Sequence, residues 1–158
     1  MSEKNVINLQ AARPSIRRSR SMQEKVDRAM RWQMDHVIND ICLSHGLEAD
    51  YARKVERELK RYLVLRSILP DRDHGVSTPV DELWHKFLTY TRDYADFCWS
   101  IGGGFIHHDP TPSVAVNTVS LHMRYGQTLH DYKEIFGEEA PNEIWPIIPY
   151  PAVGAHCG

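Results

Sequence analysis

The stretch that decides the fold is PVDELWHKFLTYTRDYADFCWSIGGGFIHHDP, residues 79–110. Its apolar and aromatic side chains recur three or four positions apart, which is typical of an amphipathic helix. Pro79 follows Thr78 and fits the first helical position, where a missing N–H costs nothing. The three glycines at 102–104 end the pattern. This stretch predicts one helix from Thr78 to about Ser100, with a row formed by Val80, Trp84, Phe87, Thr91, Tyr94 and Cys98.

Helical spacing also dominates the rest of the chain. It predicts a helix from Ser21 to Gly46, a second from about Glu48 to Ser67, and a last one from Thr111 to Gly137. Prolines at 141, 146, 149 and 151 then favour an extended C-terminal strap. No alternating strand pattern of useful length is present. We therefore predict an all-α fold, a small bundle of about four main helices.

Length and composition limit the class of protein. The chain has 158 residues, 42% apolar and 25% charged, with a formal net charge of −2. These values predict one globular domain, over residues 21–158, and they argue against a molecule that binds nucleic acid with its whole surface. No apolar run approaches the roughly 20 residues that cross a bilayer. Three widely spaced cysteines and no signal-peptide pattern predict a cytoplasmic protein without membrane association.

Residues 1–20 differ from the rest of the chain in charge. Lys4, Arg13, Arg17, Arg18 and Arg20 are opposed only by Glu3, and apolar residues are sparse. Such a segment buries too little surface to offset its ordering entropy, so we expect a disordered basic arm. The arginines are candidate contacts for a nucleic acid or a protein partner.

The candidate site lies in the opening stretch. Asp81 and His85 are four residues apart, so they share one face of the predicted helix. His107 and His108 follow the glycine turn, and consecutive side chains in extended backbone point in opposite directions. We therefore expect one member of this pair, His108 with His107 as the substitute, to join Asp81 and His85. A carboxylate with two imidazoles suits Zn²⁺ with a bound water, or non-haem Fe(II).

A structural interpretation of the same residues stays open. Thr78-Pro79-Val80-Asp81 also matches a capping box with Asp in place of Glu, and a helix N-terminus favours a carboxylate. His85 would then bond a backbone carbonyl of the following turn. No Ser-His-Asp order, nucleophile elbow or C-x-x-C motif is present, so a covalent enzyme mechanism has no support.

Three motifs carry a family resemblance: VDELWHKFLTYTRDYADFC at 80–98, GGFIHHDP at 103–110, and YGQTLHDYKEIFGEEAPNEIWP at 125–146. Over residues 58–146 the chain resembles the glycine-rich domain-containing protein-like family of bacteria, which is related to the plant glycine-rich domain proteins. The resemblance implies a link to RNA binding and stress responses, as in plant members. The glycine-rich tail that names the family is missing from this chain.

Two functions are therefore expected. The first is a small cytoplasmic protein that binds zinc or iron through the Asp-His-His cluster, where the ion would activate a water or O₂. The second is a non-catalytic interaction or adaptor protein that binds a protein or nucleic acid through its basic arm, with a purely structural cluster. The sequence assigns no substrate, reaction or oligomeric state.

Overall fold

The computed structural model describes residues 20–109 and 118–148. Within them the chain forms six helices and no strand, which confirms the predicted all-α bundle. The helices are α1 (Arg20–Arg31), α2 (Asp35–His45), α3 (Ala49–Ile68), α4 (Thr78–Thr89), α5 (Thr91–Ser100) and α6 (Thr118–Phe136). No helix in this part of the chain is both long and apolar enough to cross a membrane.

The longest helix, α3, is the centre of the bundle. It packs against α1, α2, α4 and α6, while α5 packs against α1 and α4. Because helices surround it on several sides, α3 buries more than one of its faces. Its buried apolar residues are Ala52, Val55, Leu59, Tyr62, Leu63, Val64 and Leu65. The buried row of α4, which includes Trp84 and Phe87, packs into the same core.

The predicted helix from Ser21 to Gly46 is two helices. The chain breaks after α1, and Met34 enters the core beside α3 with 1% of its surface exposed. A helix end leaves carbonyl oxygens without partners. The buried Lys60 ammonium donates to the Trp32 carbonyl at 2.7 Å, so α3 stabilises the break. Gly46 ends α2 with a φ of 66°, as predicted.

The helix predicted from Thr78 to Ser100 is also two helices, divided at Tyr90. Its backbone leaves helical geometry, with φ −91° and ψ 63°, and its hydroxyl donates to Asp40 at 2.9 Å. The bend lets Tyr94 and Phe97 of α5 pack edge-on against Phe87 of α4, with ring centroids 5.2 and 5.6 Å away. The estimate of about four main helices was therefore too low, because tertiary contacts interrupt two of them.

The predicted termini are only partly described. Arg20, placed in the arm by the sequence, is the first residue of α1 and lies 3.4 Å from Glu24. Lys4, Arg13, Arg17 and Arg18 lie outside the described residues, as do Thr111 and residues 149–158.

The described part of the C-terminal segment packs on the bundle. Ile144 and Trp145 are each 1% exposed. The Trp145 indole N–H donates to the buried Glu58 carboxylate at 3.0 Å, and the Tyr132 hydroxyl donates to the same oxygen at 2.8 Å. Burial raises the pKa of Glu58 above its ordinary value, while these two hydrogen bonds act against that rise. The segment is thus joined to α3 and α6 by a buried polar contact.

Candidate metal centre

The predicted site is built by α4 and the segment that follows α5. Asp81 lies in the first turn of α4 and His85 four residues further along the same helix. Gly102 and Gly104 have positive φ values of 71° and 66°, which lets the chain reverse after α5. The Tyr94 hydroxyl then donates to the Ile106 carbonyl at 2.6 Å and accepts from the Trp84 indole at 3.0 Å. These two bonds fix residues 101–109 against α4.

Three donor atoms meet where the segment returns. The His108 Nε2 lies 2.6 Å from an Asp81 carboxylate oxygen and 3.0 Å from the His85 Nε2. The second Asp81 oxygen lies 3.6 Å from the His85 Nε2. All three residues therefore offer one ligand atom within 4.8 Å of the others. The structure brings Asp81, His85 and His108 together.

Hydrogen bonding alone accounts poorly for this convergence. The Nε2 of an imidazole has one position in the ring plane, and that position holds either a hydrogen or a lone pair. If the His108 Nε2 carries a hydrogen, the hydrogen cannot point along both short contacts. If it carries a lone pair, that lone pair faces the lone pairs of Asp81 at 2.6 Å. A cation between the atoms would be attracted by all three donors.

The other residues singled out by sequence lie elsewhere. His107 is exposed, and its ring packs on Phe105 at 4.9 Å instead of joining the cluster. The N-cap of α4 is Ser77, whose side chain makes no capping hydrogen bond. The predicted capping box with Thr78 as N-cap was therefore wrong. The Asp81 carboxylate is directed at the two histidines.

The cluster opens into a cavity of about 580 Å³ between α3, α4 and α6. Exposure of the three side chains is graded: 13% for His108, 33% for Asp81 and 56% for His85. The His108 ring packs on the Trp84 indole with centroids 4.2 Å apart. The cluster thus has one packed side, formed by Trp84, and one side open to the cavity and to solvent.

Two polar side chains that line this cavity were not predicted from the sequence. Arg66 of α3 lines it, and so does His74, whose Nε2 lies 2.8 Å from Asp131. Asp131 also accepts hydrogen bonds from Arg72 and Gln127. Burial lowers the pKa of His74, against the opposing effect of Asp131. These residues come from three separate elements, so no local spacing in the sequence indicated them.

Fold and site together define a small all-helical protein with a carboxylate and imidazole cluster beside a cavity. Comparison with family models places residues 18–125 in the UCP032817-like family. The match covers more than half of the chain, so the protein belongs to this family, which is uncharacterised. Comparisons with curated proteins and with solved structures gave no match.

The family assignment corrects the resemblance drawn from sequence motifs. The chain does not match the glycine-rich domain family over residues 58–146. The family model that does match is a different one, and its match begins at residue 18, which is 40 residues before residue 58. Short runs of aromatic, acidic and histidine residues on amphipathic helices arise in unrelated bundles, because the helical period alone imposes much of their spacing. The RNA-binding and stress-related expectations implied by that resemblance are withdrawn with it.

Proposed function

We propose that this protein binds one divalent metal ion, Zn²⁺ or Fe²⁺, through Asp81, His85 and His108. The observation that carries the proposal is the meeting of three donor atoms around the His108 Nε2, at 2.6 and 3.0 Å. A ligand set of two imidazoles and one carboxylate suits both ions.

The dimensions of the cluster support the proposal. Metal–ligand bonds of roughly 2.0–2.1 Å in a tetrahedral site separate the donor atoms by about 3.3 Å. The three separations in this cluster are 2.6, 3.0 and 3.6 Å. Small side-chain rotations would suffice to admit the ion, and His85 has room for them because its side chain is 56% exposed.

Three protein ligands leave a coordination position for water or a ligand. The cavity lies on the open side of the cluster, so that position would face it. A bound ion of this kind supplies Lewis acidity and lowers the pKa of a coordinated water. The proposal is therefore a metal centre with an accessible position, in contrast to a closed structural site with four protein ligands.

Elemental analysis of untagged, natively purified protein tests the proposal. We expect close to one zinc or iron per chain in the wild type, and loss of the metal in Asp81→Ala/His85→Ala. His107→Ala is the matched control, because this neighbouring histidine is exposed and outside the cluster. Metal content that is unaffected by the double substitution, or a wild type that stays metal-free after reconstitution, would make the cluster structural.

A further inference from the structure

We infer that the cavity beside the metal ligands binds a small organic carboxylate, and that the Arg66 guanidinium holds its charged end. The inference rests on the proposed metal centre, because the ion supplies the second half of the anion site. It adds the class of ligand and a positioning group that lies on α3, 15 residues or more from every metal ligand in sequence.

Arg66 is a half-buried cation that has no acidic partner within the described part of the chain. Its guanidinium lines the same cavity as Asp81, His85 and His108. The hydrogen bond it makes runs from Nη1 to the Tyr62 hydroxyl at 3.2 Å. Among residues 20–109 and 118–148, no carboxylate oxygen lies within 4.0 Å of a nitrogen of the Arg66 guanidinium, the distance that defines an ion pair. A guanidinium presents a planar set of donors that fits a carboxylate, so Arg66 has unused capacity for one.

The position of Arg66 is fixed before any ligand arrives. The Tyr62 hydroxyl that accepts its hydrogen bond donates in turn to the His74 carbonyl at 3.3 Å. The guanidinium carbon lies 5.9 Å from the Tyr62 ring centre and 6.0 Å from that of Trp84. Trp84 also packs on His108. One indole thus contacts both the guanidinium and a metal ligand, and a fixed donor loses less entropy when it binds.

The charges of the cavity make anion binding depend on the metal. Three carboxylates line it, from Asp73, Asp81 and Asp109, against the two guanidiniums of Arg66 and Arg124. The described lining therefore carries a net charge of minus one, with histidines neutral. Arg124 is already paired with Asp73 at 2.7 Å. A divalent ion changes the net charge from minus one to plus one, which a single carboxylate neutralises.

The walls of the cavity indicate the remainder of the ligand. Val76, Leu121, Tyr125 and Ile148 contribute apolar surface to the lining. A volume of about 580 Å³ lies in the range of small-molecule sites. With a divalent ion bound, the described lining would carry a charge of plus one, which a monocarboxylate neutralises and a phosphate dianion would reverse to minus one. The site therefore fits a monocarboxylate with an aliphatic or aromatic body.

Isothermal titration calorimetry on the full-length, zinc-loaded protein tests this inference, with benzoate and hexanoate as probes. We expect saturable binding to the wild type and at least tenfold weaker binding to Arg66→Met, with unchanged zinc content. Arg92→Met is the matched control, because Arg92 is exposed and lies on α5 away from the cavity. Arg66→Lys should restore part of the affinity. Benzamide, which has the same shape without the charge, should not bind.

The outcomes separate the two proposals. A wild type that binds no zinc at the cluster overturns both. Zinc binding without saturable binding of either carboxylate, or with carboxylate binding that Arg66→Met leaves unchanged, overturns the carboxylate site alone. Tighter binding of inorganic phosphate than of benzoate at the Arg66 site overturns the assignment of the ligand class.

Discussion

His85→Ala should have almost no effect on the metal-free protein. The side chain is 56% exposed, and its closest polar neighbours are the other two residues of the cluster. Substitutions at such surface positions usually change the free energy of unfolding by less than about 0.5 kcal/mol. If the cluster is instead structural, His85→Ala should lower the free energy of unfolding of the metal-free protein by roughly 1–3 kcal/mol, because it leaves a polar group without its partner.

The same substitution should have a large effect when zinc is present. An ion at 100 times its dissociation constant stabilises the wild type by about 2.7 kcal/mol. For a chain of this size, each kcal/mol raises the midpoint of thermal unfolding by roughly 2–4 °C, so zinc should raise it by about 5–11 °C. His85→Ala removes one of three ligands and should abolish most of this rise.

Differential scanning calorimetry with and without zinc measures both effects on the same samples. His107→Ala should retain the full rise in melting temperature, since His107 packs on Phe105 outside the cluster. The reasoning is refuted if His85→Ala keeps the zinc-dependent rise. It is equally refuted if the variant melts early in the absence of metal and zinc has no effect on the wild type.

Three further predictions concern the frame around the site. Lys60→Met should destabilise the protein by roughly 1–3 kcal/mol, because it removes the donor to the Trp32 carbonyl and one of two cationic partners of the buried Glu56, leaving Arg53 at 2.8 Å. Lys60→Met/Glu56→Leu should recover much of the loss in chemical denaturation. The pKa of Glu58 is higher in the folded protein than in the unfolded chain. The stabilisation by Glu58 is therefore complete at a pH below the pKa of the unfolded chain, and it is lost as the pH rises through the pKa of the folded protein. Glu58→Gln should therefore gain stability relative to the wild type between pH 4 and pH 8 in urea titrations, and an equal difference at both values would disprove this. Gly75→Ala should cost about 1–3 kcal/mol in thermal unfolding, since its Cβ would lie 2.8 Å from the Tyr125 backbone nitrogen; a variant as stable as the wild type would contradict that clash.

The sequence predicted the helices well and their interruptions poorly. Helical spacing located the apolar rows, and glycines at 46 and 137 marked two helix ends that the structure places there with positive φ. The breaks near Trp32 and at Tyr90 carry no glycine or proline. They depend on distant partners, Lys60 and Asp40, so a local pattern could not indicate them.

The site, too, was predictable where it depends on local sequence spacing and not where it depends on residues from distant parts of the chain. Four-residue spacing placed Asp81 and His85 on one face of a helix, and backbone alternation anticipated that His107 and His108 would diverge. The cavity was not predictable in this way, because Arg66 and His74 reach it from α3 and from a loop. Metal binding itself remains a prediction. The three side chains form a ligand set that suits zinc or iron, and elemental analysis has to show whether an ion is bound.

The contact between Glu58 and Trp145 spans 87 residues of sequence. During synthesis, at roughly 5–20 residues per second, Trp145 is added about 4–17 seconds after Glu58. Throughout that interval the aromatic surface of α3 that receives the indole, including Tyr62, lacks its final cover. A nascent chain can assemble α1 to α5 early, but the apolar surface that Trp145 covers stays exposed, and open to aggregation, until the C-terminal segment leaves the ribosome.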